Sequence, residues 1–246
     1  MSNLKRYSIT IEYVGKNYSG SQSQPNKNTI QDNLEIALYT LLNKKIKTIF
    51  SGRTDKGVSA KGQVVHFETD KQIVASRFVN SLNGLLPCDI SVCELREVSF
   101  DFHAQKKAKK RYYNYVFYNK KQRSAFDNDL MLVKYDLDIK RMQKALNYLL
   151  GEHDFSAFQS SGSAVSNKIC FIYNAECKKL DDAVVIDIVA NRFLYNMVRA
   201  IVGTLLLIER KDLPPETIKE ILEGKDRKKA GKTVSPYGLT LMKVEY

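Results

Sequence analysis

Strand-period and helix-period segments follow one another along this chain in mixed order, without regular strand–helix–strand alternation, which favours an α+β fold over a parallel α/β one. Tyr7, Ile9, Ile11 and Tyr13 alternate with Ser8, Thr10 and Glu12, the period of a strand with one face in a core and the other toward water. Beyond a Gly/Ser/Asn/Pro-rich loop over 15–28, Ile30, Leu34, Leu38 and Leu41 recur at helical spacing, with Thr29 placed as N-cap. The pattern then predicts strands over 46–50 and 63–69, a helix over 76–85 broken by Pro87, and a strand over 90–98. After the cations Lys106, Lys107, Lys109, Lys110 and Arg111 come a strand over 112–118, a helix over 139–150 and strands over 169–177 and 184–190. A long helix over 193–208, a shorter one after Pro214-Pro215 and a strand over 239–244 complete the chain. With 246 residues, the expectation is two related α+β halves sharing a mainly antiparallel sheet with flanking helices. Residues 1–104 hold an aspartate-bearing turn, and 105–246 hold an aromatic strand and a basic helix face.

Charge narrows the partners. Lys and Arg total 39 against 27 Asp and Glu, a formal charge of +12, which points to a polyanion: nucleic acid or an acidic membrane surface. The opening Met1-Ser2-Asn3-Leu4-Lys5-Arg6 lacks the apolar run of a secretory signal. The most apolar stretch, 200–208, is interrupted by Gly203 and Thr204 and falls far short of the roughly 18 residues of a membrane span. Cys88, Cys93, Cys170 and Cys177 form no C-x-x-C pair and only three histidines are present, so reduced, mostly buried thiols in a cytosolic protein are expected.

Nucleotide and metal motifs fail. Gly231-Lys232-Thr233 resembles the end of a P-loop, but the earlier glycine would fall at Asp226 and no strand leads in. G-x-G-x-x-G and H-E-x-x-H are absent, as is a cluster of histidines with carboxylates that would suggest a catalytic metal. What remains is Gly52-Arg53-Thr54-Asp55-Lys56-Gly57-Val58, one carboxylate flanked by two cations between glycines. Nearby cations favour the ionised carboxylate, and glycines let backbone approach a ligand. A lone carboxylate lacks the second acid that glycoside hydrolysis needs, yet it serves as a nucleophile or an electrostatic stabiliser. The competing interpretation is an Asp/Gly surface turn.

By strand parity Tyr113, Tyr115 and Phe117 share a face, and with the cations upstream they combine a stacking surface with a phosphate-binding strip, or else they are core. In the 193–208 helix, Leu194, Ile201 and Leu205 form an apolar face opposite Arg192, Asn196, Arg199 and Gly203, a side open to solvent or to a ligand. Lys225, Arg227, Lys228, Lys229 and Lys232 form a second phosphate strip or a solvated face, and 18–24 is a contact surface or a mobile loop.

Taken in order, Gly52-Arg53-Thr54-Asp55-Lys56-Gly57-Val58, Gly62-Gln63-Val64-Val65-His66-Phe67, Asp101-Phe102-His103-Ala104, Arg111-Tyr112-Tyr113-Asn114-Tyr115, Gly151-Glu152-His153-Asp154-Phe155 and Met197-Val198-Arg199-Ala200-Ile201-Val202-Gly203 resemble the tRNA pseudouridine synthase A family. The resemblance runs from Tyr7 to Tyr246. It implies the pseudouridine synthase fold and a cytoplasmic, usually homodimeric isomerase that converts uridine to pseudouridine without metal or organic cofactor, at uridines 38 to 40 of the tRNA anticodon stem-loop. Asp55 matches the catalytic aspartate, proposed to attack uracil C6 or ribose C1′. Arg53 matches the arginine that helps hold the target nucleotide out of its stack, Tyr113 the tyrosine packed against the base, and Arg199 the arginine paired with the catalytic carboxylate. Arg111, in the motif of Tyr113, is taken as a further substrate contact. The base must be flipped, because the glycosidic carbon is inaccessible in the stack.

The chain departs from the family pattern at three places. Gly20-Ser21-Gln22-Ser23-Gln24 has serine where tryptophan is usual, Val58-Ser59 has serine where histidine is usual, and Asn167-Lys168 stands where Thr-Arg is expected. Lost aromatic and imidazole contacts point to an altered grip on RNA, so the alternatives are a paralogue acting on another structured RNA, such as ribosomal RNA, and a non-catalytic RNA-binding protein. Retention of Asp55, Arg53, Tyr113 and Arg199 together speaks against the latter.

Overall fold

A computed structural model describes residues 4–25, 27–123, 125, 129–162 and 166–246, so Met1, Ser2 and Asn3 of the opening lie outside the described residues. The chain gathers into two compact units, one of Met1–Lys109 with Leu241–Tyr246 and one of Lys110–Thr240. The fold is α+β, and no described helix is long and apolar enough to cross a membrane.

In the first unit, β1 (Lys5–Tyr13) lies between β3 (Ser59–Thr69) and β4 (Ile90–Val98), antiparallel to both. β2 (Ile49–Phe50) pairs with β3, and β10 (Leu239–Glu245) lies on the other side of β3 from β1. The two-residue period of β1 has the burial it predicts: Tyr7, Ile9, Ile11 and Tyr13 are all in the core. α1 (Ile30–Leu42) begins where expected because the Thr29 hydroxyl accepts the Asp32 N–H at 3.2 Å. Asn43, left-handed at φ 50, ends α1, and α2 (Ala75–Leu85) precedes the helix-breaking Pro87. The expected 46–50 strand is only Ile49–Phe50, whereas β3 starts four residues earlier than its apolar run.

In the second unit, β5 (Lys110–Asn119), β9 (Ala183–Ala190), β8 (Ile169–Leu180) and β7 (Gly151–Asp154) pair in that order, antiparallel throughout, and β6 (Leu132–Val133) adds a short parallel pairing to β5. Tyr115 and Phe117 are fully buried opposite Ile186 and Val184, so for these two rings the core interpretation holds. α3 (Ile139–Asn147), α4 (Met197–Arg210) and α5 (Thr217–Gly224) complete the unit.

Two expectations need correction. The long helix starts at Met197, because Asn196 adopts a left-handed φ of 61 that no continuing helix allows. Arg192 and Leu194 therefore precede it, and α4 is buried nearly all round, Gly203 included, with no open basic face. Of the four free cysteines only Cys170 and Cys177 are buried, which pushes their thiols up to about 11 and about 12. Cys93 is exposed because strand parity turns it away from the buried Val92, and Cys88 lies exposed in the connection after α2.

One buried titratable group in the first unit gives a pH prediction. His66 on β3 is 3% exposed, accepts the Ala104 N–H at Nδ1 (3.1 Å) and stands 5.0 Å from the His103 ring. Burial first, then the positive charge of His103 and Arg6, lowers its pKa to about 4. The unfolded chain, titrating near 6.5, takes up this proton first as pH falls, so the stability gained by keeping His66 neutral is complete above about 6.5 and is lost down to about 4. The shift corresponds to on the order of 3 kcal/mol. Urea unfolding at pH 7 and 4.5 should show wild type losing more stability than His66→Asn; equal losses contradict this assignment.

Candidate active site

The turn that carries Asp55 is the loop of the β2–β3 hairpin, and it is fastened at both ends. At its start, Ser51 N–H donates to Val64 O (2.8 Å), the Ser51 hydroxyl donates to Gln63 Oε1 (2.6 Å), and Gln63 Nε2 donates to Gly52 O (3.0 Å). At its close, Val58 N–H donates to Asp55 O (3.1 Å) across a tight turn in which Gly57 takes φ 82, a conformation glycine adopts without strain. Gly15 rests directly on the end of this turn: a Cβ there would stand 2.1 Å from Val58 O, and its N–H donates to the Ser59 hydroxyl (3.1 Å).

The middle of the turn is held through Thr54. Its hydroxyl lies 2.8 Å from the hydroxyl of Tyr13, which burial pushes up to about 12 and so keeps protonated. Its backbone N–H donates to the Ser21 hydroxyl and its carbonyl accepts the Ser21 N–H. Thr54 is consequently buried, whereas Asp55 is half-buried and Arg53 and Lys56 are exposed. The turn thus buries Thr54 and leaves its neighbours Arg53, Asp55 and Lys56 more open.

The loop of 18–24 divides in the same way. Tyr18, Gly20 and Ser21 are buried, and Gln22, Ser23 and Gln24 are exposed, so of the segment expected to be a contact surface or a mobile loop only the second part lies at the surface.

In the second unit, Arg111, Tyr113 and Arg199 are each held by near neighbours. Arg111 and Tyr113 are two residues apart on β5, facing Ala190 and Ile188 of β9, and the half-buried Tyr113 ring meets Phe193 edge-on at 5.0 Å. Arg111 Nη1 donates to Asn191 O (2.5 Å). Arg199 Nε donates to Val234 O (2.8 Å) and its Nη1 to Asn196 Oδ1 (2.6 Å), which fixes the plane of the guanidinium.

Val234 belongs to a strap over 227–235 that sequence patterning did not reveal. Arg227 donates to Gly231 O and to the Thr233 hydroxyl, both at 2.9 Å. Gly231 N–H donates to the buried Thr204 hydroxyl (2.9 Å), which itself donates to Ala200 O (2.8 Å). The strap crosses α4 at Gly203, where a Cβ would stand 1.8 Å from Lys232 O. Lys225, Lys228, Lys229 and Lys232 remain exposed along it.

Among the described residues no three of His, Cys, Asp or Glu come together as a metal site requires. A cleft of about 370 Å³ beside α1, lined by Asp32, Glu35, Ile36, Tyr39, Lys45 and Ile46, shares no residue with the Asp55 turn.

Comparison with known proteins completes the description. The family described as tRNA pseudouridine synthase matches residues 9–105 and 145–246. The "tRNA pseudouridine synthase A" of Caldicellulosiruptor saccharolyticus is 43% identical over 244 residues, which cover 99% of this chain and 100% of the relative. The protein of the same name from Thermoanaerobacter sp. strain X514 is 41% identical over 244 residues, with the same coverage of both chains. That from Prochlorococcus marinus strain MIT 9515 is 41% identical over 245 residues, 99% of this chain and 91% of its own.

Proposed function

The chain belongs to the tRNA pseudouridine synthase family, and from that premise we propose that it isomerises uridine to pseudouridine at positions 38 to 40 of the tRNA anticodon stem-loop, with Asp55 as the reacting group. The activity follows from the family; the position in the RNA and the residue roles are our own assignment. The observation that carries the assignment is the fastening of the 51–58 turn, which anchors Thr54 while leaving the Asp55 carboxyl half-exposed. Preorganisation of this kind is what a nucleophile needs if its reach to a flipped nucleotide is to be fixed.

In the reaction the N1–C1′ bond of uridine breaks, a C5–C1′ bond forms, the hydrogen on C5 passes to solvent as a proton and the freed N1 takes up a proton, so the product is an isomer of uridine. Asp55 forms a transient ester at C1′ or an adduct at C6 that holds the substrate between these two bond changes, and it is released at the end. Arg53 and Arg111 are assigned to phosphate and the extruded nucleotide, Tyr113 to packing against the base, and Arg199, as the resemblance implies, to pairing with the catalytic carboxylate. The two-half organisation, 1–104 with the aspartate and 105–246 with the aromatic strand, is part of this proposal. So are a homodimeric state and a cytoplasmic location, where unmodified tRNA is met.

The basic segments make a salt prediction. Lys106, Lys107, Lys228 and Lys229 are exposed, and a phosphate held by such a cation contributes a slope of roughly −0.7 to −0.9 to log K against log salt. Replacing both Lys228 and Lys229 by alanine should weaken all RNAs about equally and flatten the slope by about 1.5. In competition for modification, folded tRNA should exceed ribosomal RNA helices, and both should exceed unstructured RNA of equal length. Equal use of unstructured RNA contradicts recognition by shape.

A further inference from the structure

Ser21 and Ser59 stand where the resemblance described above leads one to expect a large ring, tryptophan and histidine respectively. Neither serine is idle. Ser59 receives the Gly15 N–H, and Ser21 holds both backbone groups of the residue before Asp55. We infer that Ser21 is a positioning residue for Asp55: lodged between the first turn of α1 and the Thr54–Asp55 backbone, it fixes where the carboxylate stands. This rests on Asp55 being the reacting group.

Four contacts define the lodgement. The Ser21 hydroxyl accepts the Thr54 N–H at 2.8 Å, and the Ser21 N–H donates to Thr54 O at 3.1 Å. On the other side, Ser21 O accepts the Gln31 N–H at 2.9 Å and Gly20 O accepts the Ile30 N–H at 3.3 Å. Ile30 and Gln31 open α1, and helix-opening N–H groups have no partner within the helix. The Gly20-Ser21 pair therefore ties a rigid helix end to the turn through backbone groups on both of its faces. The approach is close enough to exclude a side chain at Gly20, which has φ 104: a Cβ there would stand 2.8 Å from Thr54 O and 3.4 Å from Asp55 C.

Ser21 is 1% exposed, so it is out of reach of RNA, and its effect on the reaction is exerted through the turn. Thr54 is 5% exposed, so without the serine hydroxyl its N–H is buried with no acceptor there, and the turn must shift to satisfy it. A displacement near 1 Å at a reacting group costs on the order of 10²-fold in rate.

The test compares wild type, Ser21→Ala and Asp55→Asn in single-turnover modification of saturating tRNA, with the Kd for tRNA measured alongside and the hydrogen exchange of the Thr54 amide read by NMR. We expect Ser21→Ala to react at least about 10-fold more slowly with Kd within about twofold of wild type, and its Thr54 amide to exchange faster. A rate within about twofold of wild type, a defect found only in Kd, or an unchanged Thr54 amide overturns the positioning role. Because Asp55→Asn is assayed beside it, the two proposals fail separately. An active Asp55→Asn enzyme removes the nucleophile assignment, whereas an inactive Asp55→Asn beside a fully active Ser21→Ala removes only this one.

Discussion

Asp55→Asn should bind tRNA with wild-type affinity and form pseudouridine more slowly by about 10³-fold or more. Asparagine keeps the size and shape of the side chain and loses the charge and the attacking oxygen. The substitution leaves in place the fastenings made by the rest of the turn: Thr54 to Tyr13 and Ser21, Gly52 to Gln63, Ser51 to Val64 and Gln63, and Val58 N–H to the Asp55 carbonyl. Affinity should persist because phosphate contacts from Lys and Arg supply most of it. A purely structural aspartate would give the opposite pattern, with a normal rate per folded molecule and a lowered Tm. Filter binding, thermal melting and single-turnover assays on one preparation separate the two.

The second large effect is on stability. Gly203→Ala in α4 sets two forces against each other. Alanine is the better helix former by about 1 kcal/mol, but its Cβ would lie 1.8 Å from Lys232 O, a backbone atom that cannot rotate away. The clash wins, since relieving it means lifting the 227–235 strap off α4 and breaking the Gly231–Thr204 and Arg199–Val234 hydrogen bonds. We expect a net loss of about 3 kcal/mol, or a Tm lower by roughly 6–12 °C for a chain of this length. Gly84→Ala is the control: nothing lies within 4 Å of its Cβ, it is helical in α2, and it should be neutral or stabilising by up to about 1 kcal/mol. Calorimetry of both variants gives the comparison, and equal Tm values would show that the strap yields without cost.

The contrast between these two sites shows what the sequence alone makes legible. The Asp55 turn could be read because its chemistry is local: cations, glycines and carboxylate are adjacent in the chain, and short strands bound them. The period-two burial of β1 and the Thr29 cap of α1 were legible for the same reason. The start of α4 was not, because Leu194 continues the apolar spacing and only the left-handed backbone at Asn196 ends it. Gly203 reads as a gap in a basic face, since its contact Lys232 lies 29 residues further on and periodicity carries no information about it. Ser21 escapes sequence patterning for a different reason. A polar loop reads as solvent-exposed, yet this one returns to the hairpin and buries its serine as a backbone acceptor.

The most direct test of the account is release of tritium from tRNA transcribed with uridine tritiated at C5, because forming the C5–C1′ bond must expel that hydrogen to solvent. Purified wild-type protein, without added metal or cofactor, should release tritium from anticodon stem-loop RNA carrying uridine at positions 38 to 40, and release should disappear both in Asp55→Asn and when those uridines are replaced by cytidine. Release that survives the uridine replacement would contradict the assigned position, and no release from any tRNA would contradict the proposed isomerisation itself.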